Sequence, residues 1–304
     1  MKHPQYLKPG DNVAIVAPAR KVNSAELAPA VALLQSWGLK VVIPEHLFDA
    51  DNQFAGTDQT RAAVLQRQLD ADNIRAIFCA RGGYGTVRIV DKLDFSGFVS
   101  SPKWVVGYSD ITVLHSHIHQ SYGIETLHAT MPINIPPDAT SKAYPAIESM
   151  RACLFGEKAT YTAPAHSLNR RGTAHGMVVG GSLSILYSLC GSASNIDTAG
   201  KILFIEDLDE YLYHIDRMMM ALKRSGHLDR LAGLVVGQMS DMHDNSIPFG
   251  RTAEEIVRDA VAEYAYPVCF DFPAGHNGTD NHALLLGRNA TLAVDTRATL
   301  AFDS

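Results

Sequence analysis

Gly107-Tyr108-Ser109-Asp110 follows an apolar run at 104–106 and leads straight into an amphipathic stretch from 110 to about 120. A serine is thereby placed where a strand turns into a helix. Such a turn exposes the hydroxyl and sets the next backbone amide at a helix N-terminus, where it can stabilise an oxyanion. The segment lacks the second glycine of G-x-S-x-G, and capping is the commoner use of a serine before a helix. Both readings of Ser109 stay open on this segment alone.

Three other segments carry candidate chemistry. Arg81-Gly82-Gly83-Tyr84-Gly85 follows an apolar run, and consecutive glycines let backbone amides approach a ligand closely. The pattern is neither G-x-G-x-x-G nor a Walker A sequence, so it reads equally as an oxyanion donor, an anion nest or a plain turn. Leu203-Phe204-Ile205-Glu206-Asp207-Leu208-Asp209-Glu210 runs from apolar to acidic. A helix dipole accounts for acids at 209 and 210, whereas Glu206, nearest the buried strand, could orient a histidine or bind a metal. Ala274-Gly275-His276-Asn277-Gly278 holds a histidine in a glycine-flanked loop, suited to a general base or simply exposed.

His115, His117 and His119 lie on a helical pattern where only the first and third share a face. No H-E-x-x-H or Cys/His pair at zinc spacing accompanies them, so helix surface and flank is the expectation and no metal is implied. Met218, Met219 and Met220 read as core and flank.

These segments must be positioned by an alternation of short strands and helices. Strands are expected at 13–17, 41–44, 74–80, 104–108 and 124–128, with helices at 24–37 and 58–69, the latter capped by Thr57 or Asp58. This is a parallel sheet of Rossmann-like or flavodoxin-like kind, with its ligand crevice at the carboxyl ends of the strands. Around 156–172 the text turns polar and loses periodicity. We place there a linker, residues 157–172, between domains at 1–156 and 173–304. The second domain is expected to be mixed α/β, ending in three antiparallel, barrel-like strands at 283–286, 290–294 and 298–302.

The chain has 304 residues, 46% hydrophobic and 19% charged, which is globular rather than disordered or fibrous composition. Its formal charge of −6 has neither sign gathered into a block, so no nucleic-acid partner is expected. The cysteines Cys79, Cys153, Cys190 and Cys269 have no CxxC pairing and read as small buried hydrophobes. No run suits a membrane span, and residues 1–11 are polar, with Pro4 and Pro9; a cytoplasmic location without membrane attachment is expected.

Taken together and in order, the motifs around Ser109, Gly83, Glu206 and His276 resemble those of the LD-carboxypeptidase family, the muramoyltetrapeptide carboxypeptidases. The resemblance runs from Val13-Ala14-Ile15-Val16-Ala17-Pro18-Ala19 through Val179-Gly180-Gly181-Ser182-Leu183 to Leu284-Leu285-Leu286-Gly287. It implies a serine peptidase with Ser109 as nucleophile, His276 as base and then acid, and Glu206 orienting the imidazole. The amides of Gly83 and Asp110 would form the oxyanion hole, and Arg81 and Tyr84 would contact substrate. The substrate implied is a murein tetrapeptide losing its terminal D-alanine during peptidoglycan recycling, with no cofactor and with a homodimer as the usual assembly. His282 is a second candidate base; His276 is preferred because it follows a strand and a glycine. Val178-Val179 stand where family members often carry an aromatic residue. Two alternatives belong beside this reading: the microcin-immunity branch of the family, which cleaves a peptidyl-nucleotide, and a non-catalytic peptide-binding module.

Overall fold

Because strands buried on both faces read as unbroken apolar runs, the first half of the chain folds around a sheet covered on each side. The computed structural model describes residues 1–139, 144–277 and 280–303; Gly278 of the histidine loop therefore lies outside the described residues. The elements of the first part are β1 (Asn12–Val16), α1 (Ser24–Ser36), β2 (Lys40–Val42), α2 (Asp58–Asp70), β3 (Ile74–Cys79), α3 (Ser96–Ser100), β4 (Trp104–Gly107), α4 (Thr112–Tyr122) and β5 (Thr126–His128). Their strands are parallel, in the order β5-β4-β3-β1-β2. That is the flavodoxin-like order, and its topological switch point lies between β1 and β3.

Local chemistry fixes the helix ends. Asn23 and Glu26 form a capping box at α1, with Glu26 N–H donating to Asn23 Oδ1 at 3.0 Å and Asn23 N–H to Glu26 Oε2 at 2.8 Å. Thr57, rather than Asp58, caps α2. Gly123, at φ 61°, closes α4 in the left-handed conformation.

The second part contains α5 (Pro145–Leu154), β6 (Thr160–Ala163), β7 (Gly172–Ser182), α6 (Leu183–Ser188), β8 (Ile202–Leu208), α7 (Leu212–Arg224), β9 (Gly233–Ser240), α8 (Ala253–Ala260), β10 (Val268–Cys269), β11 (Leu284–Leu286), β12 (Asn289–Val294) and β13 (Ala298–Phe302). A mixed sheet runs β10-β9-β8-β7-β12-β13-β6, parallel from β10 to β7 and antiparallel beyond. It stays open, with β10 and β6 at opposite edges, so the barrel-like expectation is corrected to an open sheet. Strand β6 falls within the stretch where periodicity is lost.

The three closing strands do not form one antiparallel unit either. β11 leaves β12 and β13 and adds to the first sheet, antiparallel to β5 (Leu284 opposite His128). Leu284, Leu285 and Leu286 are all buried, whereas β12 and β13 alternate buried and half-buried positions. A run apolar on both faces suits the interior between sheets, and an alternating run suits a sheet with one wet face. The Gly287 amide donates to Val178 O at 2.7 Å instead of closing a hairpin. The end of the chain thus stitches the two sheets together.

Candidate active site

At the end of β4, Tyr108 is extended and Ser109 takes φ 62°. The left-handed region is uncommon for a residue with a Cβ and costs on the order of 1–3 kcal/mol. Ser109 opens a short 3-10 turn that runs into α4, and the N-cap positions of turn and helix are Tyr108 and Ile111 rather than Ser109. Capping therefore does not explain this serine. Its hydroxyl faces the glycine loop after β3: a Cβ added to Gly82 would stand 3.2 Å from Ser109 Oγ.

The loop is braced from beneath by charges. Asp110 is 1% exposed, and its Oδ2 accepts the Thr86 amide at 2.9 Å. Burial raises its pKa, against the pull of hydrogen bonds from Thr86 and Gly85 and of the Arg61 charge. Arg61, itself buried, donates to Pro18 O and to Gly85 O (3.0 Å) and pairs with Asp58. Among the described residues, no turn or loop backbone bond uses the amide of Gly83 or Asp110.

From the second sheet, β8 carries Glu206, which is 0% exposed. Its Oε2 lies 2.6 Å from His276 Nδ1, so the imidazole donates from Nδ1 and keeps Nε2 for another partner. Burial disfavours the imidazolium, but the charge and hydrogen bond of Glu206, with a contribution from Asp207, outweigh it and raise the His276 pKa. Asp207 is itself pushed up to about 6 by burial and by the Glu206 charge. Close approach of the histidine loop to β8 depends on Gly237, where a Cβ would meet Ala274 O at 2.3 Å and Glu206 Cβ at 3.1 Å.

Tyr108 joins the two halves, its ring edge-on to His276 with centroids 4.9 Å apart. The imidazole therefore packs on the residue next to Ser109, although no hydrogen bond is recorded between Ser109 Oγ and His276 Nε2. Such bonds are often long before substrate binds. Behind the histidine, Asn281 Oδ1 accepts the Gly275 amide at 3.0 Å and also meets His128 Nε2 at 3.2 Å. An oxygen that accepts a backbone N–H requires His128 to donate.

The other candidates separate. His282 stacks on Tyr161 at 4.7 Å and makes no recorded contact with Glu206, so the geometry does not support it as a base. Arg81 is half-buried and has no recorded partner among the described residues, and Tyr84 is 45% exposed with its ring 6.2 Å from Phe54; neither has a recorded contact with Ser109 or His276. His115 and His119, expected on the helix surface and flank, are buried, because α4 is enclosed between the first sheet and β7. His115 Nε2 lies 2.9 Å from Gly107 O. Among the described residues, no group of three His, Cys, Asp or Glu side chains could hold a metal ion, and no helix is long and apolar enough to cross a membrane. His128, Asn281, Arg61 and Gly237 carry no local motif; Gly237 interrupts an apolar run and His128 ends a short one, whereas Arg61 and Asn281 follow polar residues that give no sign of burial.

The family models for the LD-carboxypeptidase N-terminal and C-terminal domains match residues 13–129 and 175–292. A probable murein peptide carboxypeptidase of Bacillus subtilis is 38% identical over 281 residues, covering 90% of this chain and 86% of the relative. The murein tetrapeptide carboxypeptidase of Pseudomonas aeruginosa is 27% identical over 290 residues, 92% of each chain. In fold, the chain is similar to the muramoyltetrapeptide carboxypeptidase of Oxalobacter formigenes, with a TM-score of 0.87 at 24% identity over 96% of this chain and 99% of the other. It is similar also to MccF solved with glutamyl sulfamoyl guanosine, with a TM-score of 0.87 at 20% identity over 99% and 98%.

Proposed function

This chain belongs to the LD-carboxypeptidase family, and from that premise we propose that it is a serine peptidase releasing terminal D-alanine from murein tetrapeptides. The observation that carries the reading is the 2.6 Å bond between His276 Nδ1 and Glu206 Oε2, which leaves Nε2 free of that carboxylate on an imidazole packed against Tyr108, the residue before Ser109. In this reading His276 Nε2 takes the Ser109 proton as Oγ attacks the carbonyl on the L-centre. The amides of Gly83 and Asp110 hold the oxyanion. The proton passes to the departing D-alanine amine, and water then hydrolyses the acyl-enzyme through the same histidine. Arg81 and Tyr84 contact the peptide. Residues 1–156 and 173–304 act as a nucleophile domain and a Glu/His domain joined by 157–172. The setting we propose is cytoplasmic peptidoglycan recycling by a homodimer.

The test incubates purified protein with disaccharide tetrapeptide and measures free D-alanine. Wild type is expected to release it, while Ser109→Ala and His276→Ala stay folded and do not. A peptidyl-nucleotide offered in parallel separates this reading from the microcin-immunity one. Absence of turnover on both substrates, with binding retained, would leave a peptide-binding module.

A further inference from the structure

Chain leaving β1 reaches Arg20 at the switch point of the first sheet, opposite the glycine loop that leaves β3. The backbone on either side is pinned: Ala55 N–H donates to Ala19 O at 3.1 Å and Lys21 N–H to Gln53 O at 3.0 Å. The side chain crosses Gly83, where an added Cβ would stand 2.5 Å from Arg20 Cδ and 2.9 Å from Nε. Gly83 has φ 102°, a conformation that disfavours a larger residue. The neighbouring Gly82 makes the corresponding contact with Ser109 Oγ, and consecutive Cα atoms lie about 3.8 Å apart. The Arg20 side chain and the Ser109 hydroxyl thus each lie against one of two consecutive glycines of the same loop.

Arg20 is exposed and, among the described residues, has no recorded hydrogen bond, ion pair or ring contact. Nearby Arg61 and Arg88 are both committed to Asp58. An unpaired cation beside the nucleophile meets a specific demand of exopeptidase chemistry. The terminal carboxylate sits two bonds beyond the scissile nitrogen, so it must lie within a few ångströms of the attacked carbonyl. An internal peptide bond offers a neutral amide at that place. The planar guanidinium always carries charge and can present two parallel donors to a carboxylate.

We propose that Arg20 anchors the substrate's terminal carboxylate and so makes the site an exopeptidase. The proposal rests on the peptidase reading above. Arg81, which immediately precedes the glycine pair, also has no recorded partner among the described residues, so the test below carries variants of both.

Two measurements keep the proposals distinguishable. Binding of the disaccharide tetrapeptide acid and of its C-terminal carboxamide is compared in a Ser109→Ala background, with Arg20 intact, Arg20→Gln or Arg20→Lys, and with Arg81→Ala. D-alanine release by the Ser109 enzyme is measured separately. The acid should bind more tightly than the amide by about tenfold to a hundredfold, the range of a charged hydrogen-bonded contact. Arg20→Gln should erase that preference without weakening amide binding, and Arg20→Lys should fall between. The preference surviving in Arg20→Gln, or vanishing only in Arg81→Ala, would overturn the assignment, as would an acid that binds no better than the amide. If the preference depends on Arg20 and no D-alanine is released, the carboxylate anchor stands and the hydrolytic reading falls.

Discussion

His128 on β5 and Asn281 before β11 meet at 3.2 Å in the interior, and the same Asn281 oxygen holds the amide of Gly275. The residue preceding the candidate base is therefore tied to the first sheet through a buried imidazole. Burial pushes the His128 pKa down to about 3, so the ring stays neutral and keeps its Nε2 proton for Asn281.

This relay makes His128 a positioning residue. His128→Leu should lower kcat by up to about a hundredfold, the scale of a small misplacement of a reacting group, with little change in KM. His128→Gln, whose amide can still donate to Asn281, should recover most of the loss. Steady-state kinetics on both variants decide it: equal losses in Leu and Gln would show that the hydrogen bond is irrelevant.

The same histidine links stability to pH. His115, His119 and His128 are held neutral by burial, with pKa values near 4, 4 and 3. Their folded values lie below the unfolded value of about 6.5, so the unfolded chain binds more protons as pH falls and stability drops from about pH 6.5 downward. Raised groups such as Asp207 and His276 oppose part of this. Removing one depressed histidine should flatten the profile: between pH 7 and 4.5 the Tm of His128→Gln should fall less than that of wild type. Parallel curves would contradict the assigned burial.

As the proposed base, His276 should give activity its acid limb. A base must be neutral to accept the Ser109 proton, and Glu206 raises the pKa of His276. The rate should therefore climb with pH through a midpoint above the ordinary histidine value. Glu206→Gln removes the charge, so the limb should move to lower pH while the maximal rate falls well below wild type without vanishing. Titration of the His276 ring by NMR in the two proteins checks the cause; an unchanged pKa would remove Glu206 from the role.

Much of this arrangement is legible in the sequence because it sits at strand ends. Ser109, Gly83, Glu206 and His276 each follow or close an apolar run, and a parallel sheet sends such positions to one edge. Partners separated by long stretches of chain are not legible. Nothing local announces that His128 will reach Asn281, that Arg61 will hold the loop at Gly85, or that Gly237 must admit Ala274. Helix α4 looks amphipathic, yet a second sheet covers its polar positions, and His115 and His119 vanish into the interior. The run 283–286 is expected in the closing antiparallel unit, but three consecutive leucines lack the alternation of β12 and β13, and the strand joins β5 instead.

The central claim is that Ser109 is a nucleophile activated by His276. Intact-mass and peptide-mass measurement after treatment with an organofluorophosphonate tests it independently of any substrate. One adduct per chain on Ser109, lost in His276→Ala, is the predicted result; an unmodified Ser109, or modification that persists without His276, would contradict it.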